Sequence, residues 1–279
     1  VSERFSGKTV VITGGSSGIG LASAQIVAAE GARVALIARR REKLAEALET
    51  LPGEGHRIYP CDVADWDAVR QTADQILNDF GTPHWLINSA GITRPGYFWE
   101  LPVEVFHQIM EIDYFGIVHT CKAFVPPMME AKRGHIVNIS STAGFIGVFG
   151  YSAYSPAKFA VWGFTDTLRA ELKHFGIQMH IVFPPDTDTP QLRGEMPYKP
   201  PETKVLSETA GLLTAEQVAS TMLKEAARGK YVILPGLENK LLWKATNIGG
   251  AFRYTVMDMM VADARRKLRK RGEKPAGDL

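Results

Sequence analysis

The stretch from 8 to 20, KTVVITGGSSGIG, reads as a buried strand that runs into a glycine turn and on into a helix. Its first half is β-branched and apolar on both faces, the pattern of a strand covered on two sides. Gly14, Gly18 and Gly20 fall where a chain must turn sharply, let a pyrophosphate approach its backbone and open a helix whose amides point at the anion. Similar glycine runs occur in plain turns and at other nucleotide or methyl-donor sites. Here a strand precedes the run, and LASAQIVAAEG follows it with helical apolar spacing. A dinucleotide held by Gly14, Ser16, Ser17, Gly18, Ile19 and Gly20 is therefore the expectation.

Outward from this stretch the same alternation recurs. ARVALIAR (32 to 39), HRIYPCDV, PHWLINSAG, GHIVNISS and MHIVFPP repeat the strand signal, each separated by a helix-length segment. This predicts an α/β fold, a Rossmann-like doubly wound parallel sheet in a single domain with helices on both faces. Residues 1–236 form the expected catalytic, dinucleotide-binding domain, with a substrate loop at about 184–212; residues 237–279 form an amphipathic extension with a basic tail.

Composition sets the outer bounds. With 45% hydrophobic and 22% charged residues and a net charge of +2 over 279 residues, the chain has the balance of a globular domain, not that of a general nucleic-acid binder. Cys61 and Cys121 lack CxxC spacing, so free thiols are expected, and no metal site is. VSERFSGKT has no apolar core of a signal peptide, and no run approaches the roughly 20 apolar residues of a membrane span. A cytoplasmic location follows as an expectation.

Two further segments carry chemistry. At the end of the second strand, where an acidic residue commonly holds the ribose hydroxyls of NAD, stands Ala38, followed by Arg39, Arg40 and Arg41. Guanidinium groups there suit a 2′-phosphate, so NADPH is expected, gripped by Arg39 with Ser16 or Arg40; Arg41 reads as a solvated helix start. In YSAYSPAK (151 to 158), Tyr154 stands one helical turn before Lys158, whose ammonium favours a phenolate. Pro156 belongs in a first helical turn, which puts Tyr154 at the positive end of a helix dipole. Tyr154 is thereby expected to serve as an acid or base near neutral pH. Ser141 ends its strand on the same edge as the glycine loop.

TGGSSGIG, CDV around Asp62, NSAG (88 to 91), Ser141 thirteen residues before Tyr154, and Lys158 together resemble the short-chain dehydrogenases/reductases over the first 190 residues. The resemblance implies that Ser141 polarises a substrate carbonyl, that Tyr154 delivers or removes the hydroxyl proton, and that Lys158 binds the nicotinamide ribose and lowers the tyrosine pKa. It further implies that Asp62 and Val63 flank the adenine, and that Asn88, Ala90 and Gly91 line the cofactor ribose. Tyr151, seven residues from Lys158, is a poorer partner and reads as a pocket wall touching substrate. Asp113 departs from the pattern, since the family usually has an asparagine there that links the lysine to a water chain. A carboxylate adds negative charge near Lys158 and donates no amide hydrogen bond, so the proton relay is expected to differ unless the backbone carbonyl makes that contact.

The string FPPDTDTP (183 to 190) fits the family's nicotinamide-covering segment through Pro184, Pro185, Thr187 and Thr189, with proline in place of the usual glycine. With KPPETKVLSET (199 to 209), it looks like the 3-ketodihydrosphingosine reductases, which reduce a long-chain amino-ketone lipid with NADPH to sphinganine. Direct hydride transfer to the ketone carbon is the implied reaction. Asp186 or Asp188 is then a candidate partner for the substrate ammonium, the alternative being that both carboxylates cap the following helix or fix the loop. Reduction of 3-oxoacyl thioesters or steroid-like ketones needs the same Ser141, Tyr154 and Lys158 without the acids; a non-catalytic NADP(H) sensor needs none of them. In the last forty residues an apolar helix face ends in the basic run RRKLRKR. Such a face suits peripheral contact with the cytoplasmic membrane, or else covers the core or a subunit partner. The family resemblance also implies a homodimer or homotetramer packed through helices around 104–129 and 154–174.

Overall fold

The computed structural model describes residues 4–208, 211–248 and 252–275. Among the described residues nine strands run in chain order, β1 Thr9–Thr13, β2 Arg33–Ala38, β3 Arg57–Pro60, β4 Trp85–Asn88, β5 Gly134–Ile139, β6 Ile177–Val182, β7 Thr187–Asp188, β8 Leu213–Thr214 and β9 Val232–Ile233. The helices are α1 Gly18–Ala29, α2 Arg41–Glu49, α3 Trp66–Phe80, α4 Val103–Met110, α5 Gly116–Glu130, α6 Tyr154–Leu172, α7 Pro190–Glu195, α8 Pro201–Glu208, α9 Ala215–Ala227, α10 Leu237–Ile248 and α11 Phe252–Lys270.

Seven strands form one parallel sheet in the order β3-β2-β1-β4-β5-β6-β9. The six strands expected from the sequence are all present. The seventh, β9, is two residues long, too short for its apolar pattern to stand out. A second small sheet pairs β7 with β8 across the loop after β6.

Period-two side-chain alternation divides the buried residues between two cores. Val10, Ile12, Val34, Leu36 and Ile87 pack beneath α1, α2 and α9. Val11, Ala35, Ile37, Leu86 and Ile136 face the other way, toward α3, α5 and α6. Both faces being covered explains why the strands read as continuous apolar runs. The strand order reverses direction at β1 and β4, which opens a crevice at the carboxyl edge of the sheet.

The extension begins at α10, directly after Gly236, and packs on this body. Trp243 packs edge-on or tilted among Phe145, Trp162 and Phe183, while Asn239 meets Thr142 and the Phe183 carbonyl. Ala264 and Leu268 of α11 bury against Val205 of α8. Part of the apolar face of 237–279 therefore covers the core, whereas Leu241, Tyr254 and Met259 are exposed. No described helix is long and apolar enough to cross a membrane. Both cysteines are free and buried.

Candidate active site

A cleft of about 300 Å³ lies at the carboxyl edge of the sheet, over the crevice between β1 and β4. Gly14 turns out of β1 with φ +65°, and a Cβ there would come 2.8 Å from the backbone nitrogen of Ala90. Thr13 fixes that approach, its hydroxyl accepting from the amides of Ser89 and Ala90 at 3.1 Å each. Gly18 also has positive φ and begins α1. Ser17, the residue before α1, makes no side-chain cap, and no acid occupies the first turn, so the helix presents free amides and a positive end to the cleft. A cradle too tight for a Cβ and an uncapped helix start fit the pyrophosphate of a dinucleotide.

The predicted residues mostly converge here. Gly14, Ser16, Ser17, Gly18 and Ile19 line one end, Arg39 and Arg40 the exit of β2, and Asp62 and Val63 the exit of β3. Asp62 is oriented by accepting from the Ala64 amide at 3.1 Å. Ala90 and Gly91 follow β4, and Ser141, Tyr151, Tyr154, Lys158, Pro184, Thr187 and Thr189 complete the other end. Thr189 also caps α7 by accepting from the Leu192 amide, and Thr187 donates to the Pro185 carbonyl at 2.8 Å, so both hydroxyls shape the loop they line.

Two expected cofactor contacts lie elsewhere. Asn88 is buried with its amide turned into the sheet, donating to Asn138 at 2.8 Å and accepting from Thr120 at 2.8 Å. Strand parity aims Asn88 inward, and the wall it was expected to form is made by Ser89, Ala90 and Gly91. Gly20 sits behind the cleft, where a Cβ would stand 2.4 Å from the Gly14 carbonyl oxygen, so its task is to let α1 pack on the loop.

At the reacting end, Tyr154 is the first residue of α6, with Pro156 in the same first turn as the sequence required. Lys158 lies beneath it, its Nζ 5.4 Å from the phenol ring centroid and donating to the Ile139 carbonyl at 3.3 Å. Asp113 sits in a five-residue π-helical turn, Glu111–Phe115, between α4 and α5, and is wholly buried. Such a turn inserts one residue into the helical register and re-aims a side chain, here onto Lys158. Asp113 Oδ1 accepts from the Ile92 amide at 2.8 Å, and Oδ2 pairs with Lys158 Nζ at 3.0 Å. The expected carboxyl thus stands at ion-pair distance from Lys158; burial pushes its pKa up, while Lys158 and the Ile92 amide pull it down.

Electrostatics modify one expectation. Burial pushes the Tyr154 phenol up to about 12; Lys158 and a hydrogen bond with Ser141 pull it down, while Asp113 and Glu195 push it up. Burial outweighs the lysine and the helix end, so Tyr154 stands protonated at neutral pH, not poised for deprotonation. For Lys158, Asp113 and Tyr154 overcome desolvation and hold the ammonium charged.

The two loop acids part company. Asp188 forms a half-exposed ion pair with Arg193 and does not line the cleft, so the substrate role expected for it is corrected: β7 turns its side chain to solvent. Asp186 lies just outside the lining, 3.7 Å from Lys199. At this end of the cleft the acid in the lining is Glu195, at the end of α7, which the sequence reading passed over. Its only linear signal was a glutamate four residues before a lysine, a spacing ordinary on helix surfaces.

Residues 8–197 match the family model described as short chain dehydrogenase, and the chain belongs to that family. Among its relatives, a 3-dehydrosphinganine reductase of Danio rerio is 39% identical over 246 residues, covering 86% of this chain and 74% of that protein. A 3-ketodihydrosphingosine reductase of Dictyostelium discoideum is 36% identical, covering 93% and 84%. Of solved structures, levodione reductase superposes with a TM-score of 0.75 at 27% identity, covering 82% of this chain and 96% of that one.

Proposed function

We propose that the protein reduces the ketone of 3-ketodihydrosphingosine to the alcohol of dihydrosphingosine, using NADPH. The observation that carries the substrate is the similarity, at 36–39% identity over most of the chain, to reductases named for that reaction in vertebrates and Dictyostelium. NADPH over NADH is supported by Arg39 and Arg40 at the exit of β2, where an acid would repel a 2′-phosphate. The dinucleotide, when bound, supplies the hydride.

The residues of the chain handle the oxygen and the proton. Ser141 and Tyr154 would hydrogen-bond the carbonyl oxygen, so that negative charge developing there meets donors already in place. A phenol held protonated is loaded as the donor, which favours the reductive direction. Lys158 and Asp113 set the field beneath it. An apolar hollow of about 780 Å³ adjoins the cleft through Tyr151, between Gly147–Pro156 and α11, and we assign it to the alkyl chain. The exposed apolar residues of α10 and α11 beside the basic run support entry of that chain from an anionic lipid surface. For assembly, the helices over 104–129 and 154–174 are the subunit face; a solution mass of one chain would remove that part of the reading.

The test follows NADPH absorbance with purified protein and 3-ketosphinganine, beside NADH and a 3-oxoacyl thioester. Preferred consumption of NADPH with the amino-ketone is expected. Faster turnover of the thioester with ketosphinganine inert would leave a reductase of another substrate.

A further inference from the structure

Around Glu195, Tyr151 and Lys199 form a buried cluster with the acid, and the partly exposed Asp186 stands at its edge. The Tyr151 hydroxyl donates to Glu195 Oε1 at 2.7 Å. Lys199 Nζ, wholly buried, lies 3.0 Å from the same oxygen, donates to the Ser207 hydroxyl at 3.0 Å and stands 3.7 Å from Asp186 Oδ2. Glu195 is 6% exposed, yet it lines the same cleft as Tyr154, whose ring lies 5.8 Å from that of Tyr151.

Charge counting sets this cluster apart from a plain loop anchor. Asp186 and Glu195 bring two negative charges against the single ammonium of Lys199, so with both acids ionised the group carries one net negative charge beside the reacting tyrosine. Tyr151 and Lys199 occupy two of the roughly four acceptor positions of a carboxylate, so Glu195 retains room for a further donor. Glu195 is the buried acid of the two, its carboxyl pushed up by burial against Lys199 and Tyr151, and an incoming cation would hold it ionised, whereas Asp186 is a third exposed. The substrate read above carries an ammonium on the carbon next to its ketone. A ketone held at Ser141 and Tyr154 therefore brings that ammonium to the neighbourhood of Tyr151 and Glu195.

We propose that Glu195 is the specificity-determining acid that binds the substrate ammonium, with Tyr151 and Lys199 as the positioning residues that fix its carboxylate and Asp186 supplying the second negative charge through Lys199. The inference rests on the amino-ketone reading of the substrate. It moves the ammonium partner from the loop acids to the end of α7. The pairing also fixes which face of the ketone meets the hydride, because a second anchor next to the carbonyl stops the substrate from rotating about its bond to the protein.

Glu195→Gln tests it, since glutamine keeps an oxygen to accept from Tyr151 and removes only the charge. Two substrates are compared, 3-ketosphinganine and a ketone of the same chain length with hydrogen in place of the amine. The variant is expected to lose roughly 10- to 100-fold in kcat/KM on the amino-ketone, the range of a charge-assisted hydrogen bond, and to keep its rate on the amine-free ketone. Glu195→Asp is expected to recover part of the loss, and Asp186→Asn to lose less than Glu195→Gln. An equal loss on both substrates, or no loss on either, overturns the inference and leaves Glu195 as a loop anchor. Wild-type protein that turns over the amine-free ketone as well as the amino-ketone overturns it as well. Wild-type protein inert toward both ketones but active on a thioester instead removes the substrate reading beneath it.

Discussion

Asp113→Asn isolates the feature that departs most from the family pattern. The carboxylate and the Lys158 ammonium are 3.0 Å apart with side chains 0% and 5% exposed. At an effective dielectric of about 20, that separation corresponds to an attraction of about 5 kcal/mol, and stripping one partner from a buried pair costs roughly 3–5 kcal/mol. Asparagine preserves the bond from the Ile92 amide, so the lower figure applies, about 3 kcal/mol. With an unfolding entropy of about 2.1 cal/mol/K per residue, a chain of this length should melt about 5 °C lower. Differential scanning calorimetry of the cofactor-free protein measures it, and in a Lys158→Met background the same change should cost less than about 1 kcal/mol, there being no ammonium to strip. The substitution also removes one of the charges that push Tyr154 up, so the alkaline limb of the reduction rate, where the protonated phenol is lost, should move to lower pH. An unchanged melting temperature, an equal loss in both backgrounds, or a limb that moves upward would refute this account of the pair.

Three other outcomes follow from the same geometry. Gly20→Ala forces a Cβ to 2.4 Å from the Gly14 carbonyl oxygen, so the glycine loop must shift; fluorescence titration should show NADPH affinity at least about tenfold weaker, with roughly 1–3 kcal/mol of stability lost. Arg39→Ala should weaken NADPH by on the order of tenfold while leaving NADH nearly unchanged, read as the ratio of the two KM values. Burial, with His180 and Lys8 adding to it, holds His135 down to about 3, and burial lowers His180 too. Such histidines stabilise the fold fully above their unfolded value near 6.5, and that contribution is lost as pH falls below it because only the unfolded chain takes up the proton. Urea unfolding should show up to roughly 2 kcal/mol lost from His135 between pH 7 and 5, with His180 adding to it, and His135→Gln should flatten the slope.

Local pattern determined much of this protein. The apolar runs ending in Thr13, Ala38, Asn88 and Ile139 are strands because residues buried on both faces need no alternation, and their spacing leaves room only for crossover helices. The glycine loop, the Tyr154–Lys158 spacing and the place of Pro156 are short-range facts of backbone geometry, legible without a neighbour. Tertiary structure decided the rest, because it depends on which distant groups share a low-dielectric space. Asn88 turns inward since Asn138 of the neighbouring strand and Thr120 of α5 satisfy it there, and β9 becomes a strand only because β6 offers it an edge. Asp113 reaches Lys158 through a π-helical turn, and Tyr154 is held protonated by burial that no spacing rule measures. Glu195 and Lys199, a common helical pair in one dimension, become a buried charge site only when Tyr151 closes over them, for water screens such a pair on a surface and the interior does not.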